Sequence, residues 1–336
     1  MLRLLTSAPP TGPLHFGHYR GAVAPFVNEL PAADEAYFTI ADLHMLAPRA
    51  DRTVTAHVPD RCRTLVAECV ASGAEPDRCF FYRQSDVPEI FELSWILSCF
   101  TSKGLMNRAH AYKAAVDKNR EGGVEDLDAG VSMGLFGYPV LMAADILLFR
   151  TNIVPVGKDQ VQHVEIARDV AQRFNTIYGP VLTLPEARIS KDTAVVPGLD
   201  GRKMSKSYGN GIPLFAPAAE MRKRIFSIVT DSRVPGEPKP IEGSAVLRLY
   251  EAFATAEESA RMRAAFAAGI AWGEAKQTLF ERIEATVAPM RSRYQSLMAD
   301  APRIEQLLQH GAAKARAIAT PFLAELRRAV GLRKLF

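Results

Sequence analysis

No run of 18 or more apolar residues occurs in this 336-residue chain, so the sequence offers no membrane-spanning helix. The opening Met1-Leu2-Arg3-Leu4-Leu5 is too short before its polar loop to serve as a signal peptide. Cysteine is scarce as well: Cys62, Cys69, Cys79 and Cys99 show no Cys-x-x-Cys spacing. That excludes a zinc site or disulfide framework and leaves the reduced thiols of a cytoplasmic protein. Charge of one sign is not in large excess, and a net +4 only permits a local basic patch. Repeats and low-complexity tracts are missing. What remains is 48% hydrophobic and 23% charged, the balance of a soluble globular chain long enough for two domains.

Apolar runs and helical periods alternate through the first half. Residues 2–7, 36–41, 79–82 and 153–156 read as buried strands, and 60–72, 89–100, 137–149 and 160–174 as helices. A further helix opens near Phe16 and runs towards Leu30. Strands separated by helices imply right-handed crossovers and a parallel sheet, an α/β class of Rossmann-like form. From residue 216 onwards helical patterns take over, at 219–229, 245–253, 257–267, 275–300 and 304–330. The expected division is a catalytic α/β domain over 1–197 with a helical insertion at roughly 88–150, a loop and linker over 198–214, and a helical domain over 215–336. Residues 235–240, bounded by prolines, look most like a linker.

Two short motifs carry the chemistry. The first is Pro10-Thr11-Gly12-Pro13-Leu14-His15-Phe16-Gly17-His18, at the turn from the first strand into a helix. An opening helix presents unpaired N–H groups that suit phosphate, and two histidines three apart share its first turn. Gly17 between them lets a base or ribose approach the backbone. The second is Lys203-Met204-Ser205-Lys206-Ser207, flanked by Gly198, Gly201, Gly209 and Gly211. Two ammonium groups on a mobile loop can neutralise a leaving pyrophosphate. A five-residue match arises by chance in on the order of one chain in ten thousand. Neither motif is a P-loop.

The middle of the chain bears on what is activated. The helix of residues 137–149 is nearly all apolar yet holds Asp145, with Tyr138 and Met142 on the same face. A buried carboxylate needs a donor, either a ligand N–H or an internal partner such as Arg150 or a backbone amide. Gly157, Asp159 and Gln160 then follow a strand, where parallel sheets bind ligands. Asp159 could accept from ribose hydroxyls or simply cap the next helix.

Together the two motifs resemble the signatures of class I aminoacyl-tRNA synthetases. With Thr39-Ile40-Ala41-Asp42-Leu43-His44, residues 138–149, residues 154–175 and Val229-Thr230-Asp231-Ser232, the chain resembles the bacterial-type tryptophanyl-tRNA synthetases over nearly its whole length. The resemblance implies a homodimer that condenses L-tryptophan with ATP, releases pyrophosphate and charges tRNA(Trp). It implies that Thr11, Gly12, His15, Gly17, His18, Gly157, Asp159, Met204 and Ser207 bind ATP. Lys203, Lys206 and Lys113 would meet its phosphates together with Mg²⁺, and no protein side chain would hold the metal. It places Leu5, His44, Tyr138, Met142, Asp145, Ile146, Val154, Val156 and Gln160 around the amino acid, with Asp145 accepting from the indole N–H. Residues 215–336 would bind the anticodon.

Some positions depart from the family pattern. Leu5-Thr6-Ser7-Ala8-Pro9-Pro10 replaces Phe-Ser-Gly-x-Gln-Pro, His18 replaces an asparagine, Lys158 an acid and Ala115 a lysine. These changes suggest a divergent or secondary copy with altered tolerance of tryptophan analogues, which inhibition by an indole-containing analogue would reveal. The alternatives are a tyrosine-specific relative, a noncatalytic RNA-binding paralogue, and a small-molecule nucleotidyltransferase. The basic residues Arg222, Lys223, Arg224, Arg327, Arg328, Arg333 and Lys334 suit tRNA or a solvated face.

Overall fold

Five parallel strands form one sheet in the order β3-β2-β1-β4-β5. They are β1 (Arg3–Ala8), β2 (Glu35–Ile40), β3 (Phe80–Arg83), β4 (Ile153–Pro155) and β5 (Glu186–Arg188). The computed structural model describes residues 1–47, 51–189 and 196–332. β1 lies in full register with β2, from Arg3 opposite Glu35 to Ala8 opposite Ile40. On its other side β1 meets β4 at Leu4 and Ile153. The strand order therefore reverses at β1, and it is beyond the C-terminal end of such a strand that parallel α/β sheets bind ligands.

Side chains alternate along each strand, so the sheet has two apolar faces. Leu4, Phe38, Phe81 and Ile153 belong to one core, with the helix Val58–Ala71 and the helices after residue 245. Leu5, Tyr37, Tyr82 and Val154 belong to the other, with the helices Glu89–Ser98, Met133–Leu147 and Val161–Tyr178.

The last helix, Ala301–Ala329, serves both cores. Its Ile304 and Leu308 face the first core, and Ala315, Phe322 and Leu326 the second. It changes side by crossing β3, the edge strand, at Gly311. A Cβ on Gly311 would lie 1.9 Å from the Phe81 carbonyl oxygen, so only glycine permits the crossing. The helix thereby covers an edge that would otherwise be open to pairing. Gly311→Ala should destabilise the fold by about 1–3 kcal/mol or more, read as a lowered urea midpoint. An unchanged midpoint would mean that the helix rests on β3 more loosely than this geometry requires.

The expected elements recur with shifted ends, and the differences have local causes. The helix after the first motif is broken into a short α segment (Phe16–His18), a π turn (Tyr19–Val23) and an α segment (Ala24–Glu29). β5 was not apparent in the sequence because it is three residues long and carries two charges. Residues 235–240 do not hang free: Gly236 N–H donates to the Gly269 carbonyl (2.8 Å), and Lys239 N–H to that of Phe266 (2.8 Å).

Candidate functional site

β1 ends at Ala8, and the loop that follows leads into His15. His15 is the N-cap of the short helix, and the two histidines cap each other. His18 N–H donates to His15 Nδ1 (3.2 Å), and His15 N–H donates to His18 Nδ1 (3.3 Å). Their rings stack at 3.6 Å. Because each Nδ1 accepts, each neutral ring carries its proton on Nε2. Burial, followed by the Lys206 charge, lowers His15 to about 4. Burial, followed by His15 and Lys206, lowers His18 to about 3. Both are neutral donors at physiological pH, and the buried His15 Nε2 has no partner among the described residues.

This arrangement corrects the expected use of the helix opening. Phe16 N–H is already bonded to the Ile212 carbonyl (3.2 Å) and His18 N–H to His15, so the imidazoles, not these amides, are available to phosphate. At Gly17 a Cβ would meet the His15 ring at 3.0 Å and Met204 Cβ at 3.4 Å. Its bareness lets the two motifs touch. Met204 is correspondingly buried.

The second motif folds over the first. Lys206 Nζ donates to Thr11 Oγ1 (2.9 Å) and to the Gly12 carbonyl (2.7 Å). Residues on either side pair as well: Leu214 N–H donates to the Leu14 carbonyl (2.8 Å), and His15 bridges Pro213. Asn210, which sequence reasoning missed, organises the loop from within. Its Oδ1 accepts from Ser205 N–H (2.8 Å), while its Nδ2 donates to Asp200 (2.7 Å) and to the Lys203 carbonyl (3.2 Å). Gly198 is bare because a Cβ there would fall 2.4 Å from the Asn210 amide. The Lys203 side chain is exposed, and Ser207 N–H donates to Ser205 Oγ (3.3 Å).

Asp145 lies fully buried on the Met133–Leu147 helix. Its internal partner is Gln84, also fully buried, whose Nε2 donates to both carboxylate oxygens (3.0 and 2.8 Å). The expected candidate Arg150 instead pairs with Glu325. His44 Nδ1 meets Gln84 Oε1 (3.0 Å), so Gln84 joins His44 to Asp145. Asp42 fixes this junction by accepting from Ser85 N–H (3.1 Å), which ties the β2 exit to the β3 exit. Burial raises the Asp145 carboxyl well above the ordinary range, and the Gln84 amide opposes that rise. Burial also lowers His44, leaving a neutral ring. Gln84 was invisible in the sequence, since its only signal was a polar residue closing an apolar strand.

The other expected residues distribute around this pair. Leu5, Ile146 and Val154 are buried in the second core, with Met142 and Val156 partly buried against it. Tyr138 stands 6.1 Å from the His44 ring, and its hydroxyl bonds to His163 Nε2 (2.7 Å). Gly157 caps the turn Lys158–Gln160, and its carbonyl accepts from Gln160 N–H (2.9 Å). The Asp159 side chain lies outside the described set. Lys113 is exposed on the helix His110–Glu121, and no hydrogen bond or ion pair among the described residues connects it to either motif. Of the basic residues, Arg327 pairs with Glu92 and Arg224 with Glu220, so part of that charge is spent internally. Arg333 and Lys334 lie outside the described residues.

A parallel sheet whose strand order reverses at β1, two loops joined by Lys206 and a buried acid among apolar side chains fit a class I synthetase. The chain belongs to the tRNA synthetases class I (W and Y), whose family description matches residues 1–288. Within that family it falls with the tryptophan–tRNA ligases. It is 56% identical over 336 residues to the Tryptophan–tRNA ligase of Xanthomonas axonopodis pv. citri, covering 99% of this chain and 77% of that one. The ligase of Pseudomonas aeruginosa is 53% identical over 337 residues, at 99% and 74% coverage. The crystal structure of tryptophanyl-tRNA synthetase from Campylobacter jejuni, complexed with ADP and tryptophan, is 39% identical. It superposes with a TM-score of 0.86 over 98% of this chain and 100% of its own. This chain is thus an aminoacyl-tRNA synthetase, a ligase that uses ATP.

Proposed function

We propose that the two bridged loops bind ATP and that the Asp145 pocket binds L-tryptophan, so that tryptophanyl-adenylate forms between them and is passed to tRNA(Trp). The observation that carries the reading is the Lys206 bridge to Thr11 and Gly12, which puts a signature ammonium on the loop of the two neutral histidines. The tryptophan carboxylate attacks the α-phosphorus, and the bond to pyrophosphate breaks. The terminal adenosine hydroxyl then displaces AMP. No side chain need become a nucleophile, so catalysis is positioning and charge stabilisation. The Nε2–H groups of His15 and His18 donate to phosphate oxygens, and Lys203 and Lys206 meet the charge that builds on the leaving group.

Gly157 and Asp159 serve the ribose and Met204 the adenine, while Lys113 reaches the pyrophosphate once ATP is bound. His44, Met142, Ile146, Val154 and Val156 surround the indole, with Tyr138 and Gln160 near the amino group. Mg²⁺ arrives with ATP as the MgATP substrate. A homodimer is supported by the Glu89–Ser98 helix, whose Phe91 and Trp95 are one turn apart and 41% and 73% exposed. The helices after residue 215 serve tRNA, and the site of action is the cytoplasm. No described helix is long and apolar enough to cross a membrane.

Amino-acid-dependent ATP–pyrophosphate exchange across the twenty amino acids, followed by charging of bulk tRNA, tests the reading. Exchange with tryptophan and charging of one tRNA species are expected. Exchange with tyrosine alone would overturn the substrate; exchange without charging would favour a small-molecule transferase.

A further inference from the structure

A second buried acid faces the nucleotide loop and is unused by the chemistry above. Glu68 lies on the Val58–Ala71 helix, buried to 2% exposure in an otherwise apolar stretch. Both of its carboxylate oxygens accept from Leu14 N–H, at 3.0 and 3.1 Å. Leu14 immediately precedes His15, and its carbonyl accepts from Leu214 N–H. Glu68 therefore holds a segment on which both the histidine pair and the 212–214 segment after the lysine loop hang.

We infer that Glu68 is a positioning residue for ATP: by fixing Leu14 it sets His15, His18 and the 212–214 segment in their nucleotide-binding arrangement. Without an acceptor, the Leu14 amide would be a buried, unpaired donor, and the loop would move to find one. The reading rests on assigning the His15–His18 loop to ATP.

Burial pushes the Glu68 carboxyl up to about 7, against the opposing effects of the Leu14 N–H and the Lys206 charge. The charged and titratable groups around it are Lys206, with Arg61 acting on that lysine, and Tyr294 and Cys69. An ionised carboxylate accepts the Leu14 N–H more strongly than a neutral acid does. The KM for ATP should therefore fall as pH rises through about 7.

The test compares Glu68→Leu, Glu68→Gln and His15→Ala by tryptophan-dependent pyrophosphate exchange. Glu68→Leu should raise the KM for ATP about tenfold and leave that for tryptophan within about twofold. Glu68→Gln, which keeps an acceptor oxygen, should recover most of the loss but lack the limb near pH 7. A limb shared by Glu68→Gln and the parent chain belongs to the nucleotide and overturns the proposal, even if Glu68→Leu does not fold. Equal rises in both KM values would also overturn it. His15→Ala separates the two readings. If it raises the KM for ATP and Glu68→Leu does not, Glu68 is not a positioning residue. If neither raises it, the ATP assignment itself fails.

Discussion

Asp145→Ala should lower kcat/KM for tryptophan by roughly 10²- to 10³-fold, with the KM for ATP unchanged within about twofold. The magnitude has two sources. A hydrogen bond to a charged group is worth about 1.5–3 kcal/mol, and an unpaired buried donor costs about 1–3 kcal/mol. On the proposed reading both fall on the indole N–H, which loses its acceptor and is left buried and unpaired; the Gln84 amide that donates to both Asp145 oxygens is stranded in free and bound enzyme alike and lowers stability instead. On that reading the same residue sets specificity. Phenylalanine offers no ring donor to add to that of Gln84, whereas tyrosine carries a hydroxyl and is the harder competitor. Exchange kinetics over a tryptophan titration decide the matter. A kcat/KM within threefold of the parent value would remove Asp145 from the recognition of the indole.

Lys206→Ala should cut the exchange kcat by about 10²- to 10³-fold while barely altering the tryptophan KM. Lys206 already spans the two loops, so it has little to reorganise as charge gathers on the departing pyrophosphate. A group engaged mainly in the transition state affects kcat more than ground-state affinity. Lys203, exposed in this conformation, should give a smaller effect alone. Single-turnover formation of the adenylate, followed by quenched flow, isolates the chemical step. A loss of less than threefold would show that Lys206 is a tether between loops and not a catalytic group.

Much of this site could be read before any coordinates. Asp145 was conspicuous because a lone acid in an apolar helix violates the expected pattern, and the structure buries it completely. The two loops were legible because their residue types match the chemistry of polyphosphate. The same logic extends to Glu68, which sits in the run Leu65-Val66-Ala67-Glu68-Cys69-Val70-Ala71 and breaks it in the same manner. Gln84 and Asn210 gave no such signal. Their roles depend on neighbours the fold supplies, Asp145 being 61 positions beyond Gln84 and Asp200 ten before Asn210. β5 was hidden for another reason. Glu186 and Arg188 are exposed at the sheet edge, so no apolar alternation marks the strand.

The crossing of Gly311 over β3 also orders events during synthesis. Strands β1, β2 and β3 lie within the first 83 residues, yet the helix that covers the β3 edge begins only at Ala301. More than half of the chain must therefore leave the ribosome before that edge has its cover. Such a long separation slows the final docking step and leaves an adhesive strand in solution meanwhile. Strands β1 to β3 are translated early, but their open edge is sealed by one of the last segments to be made.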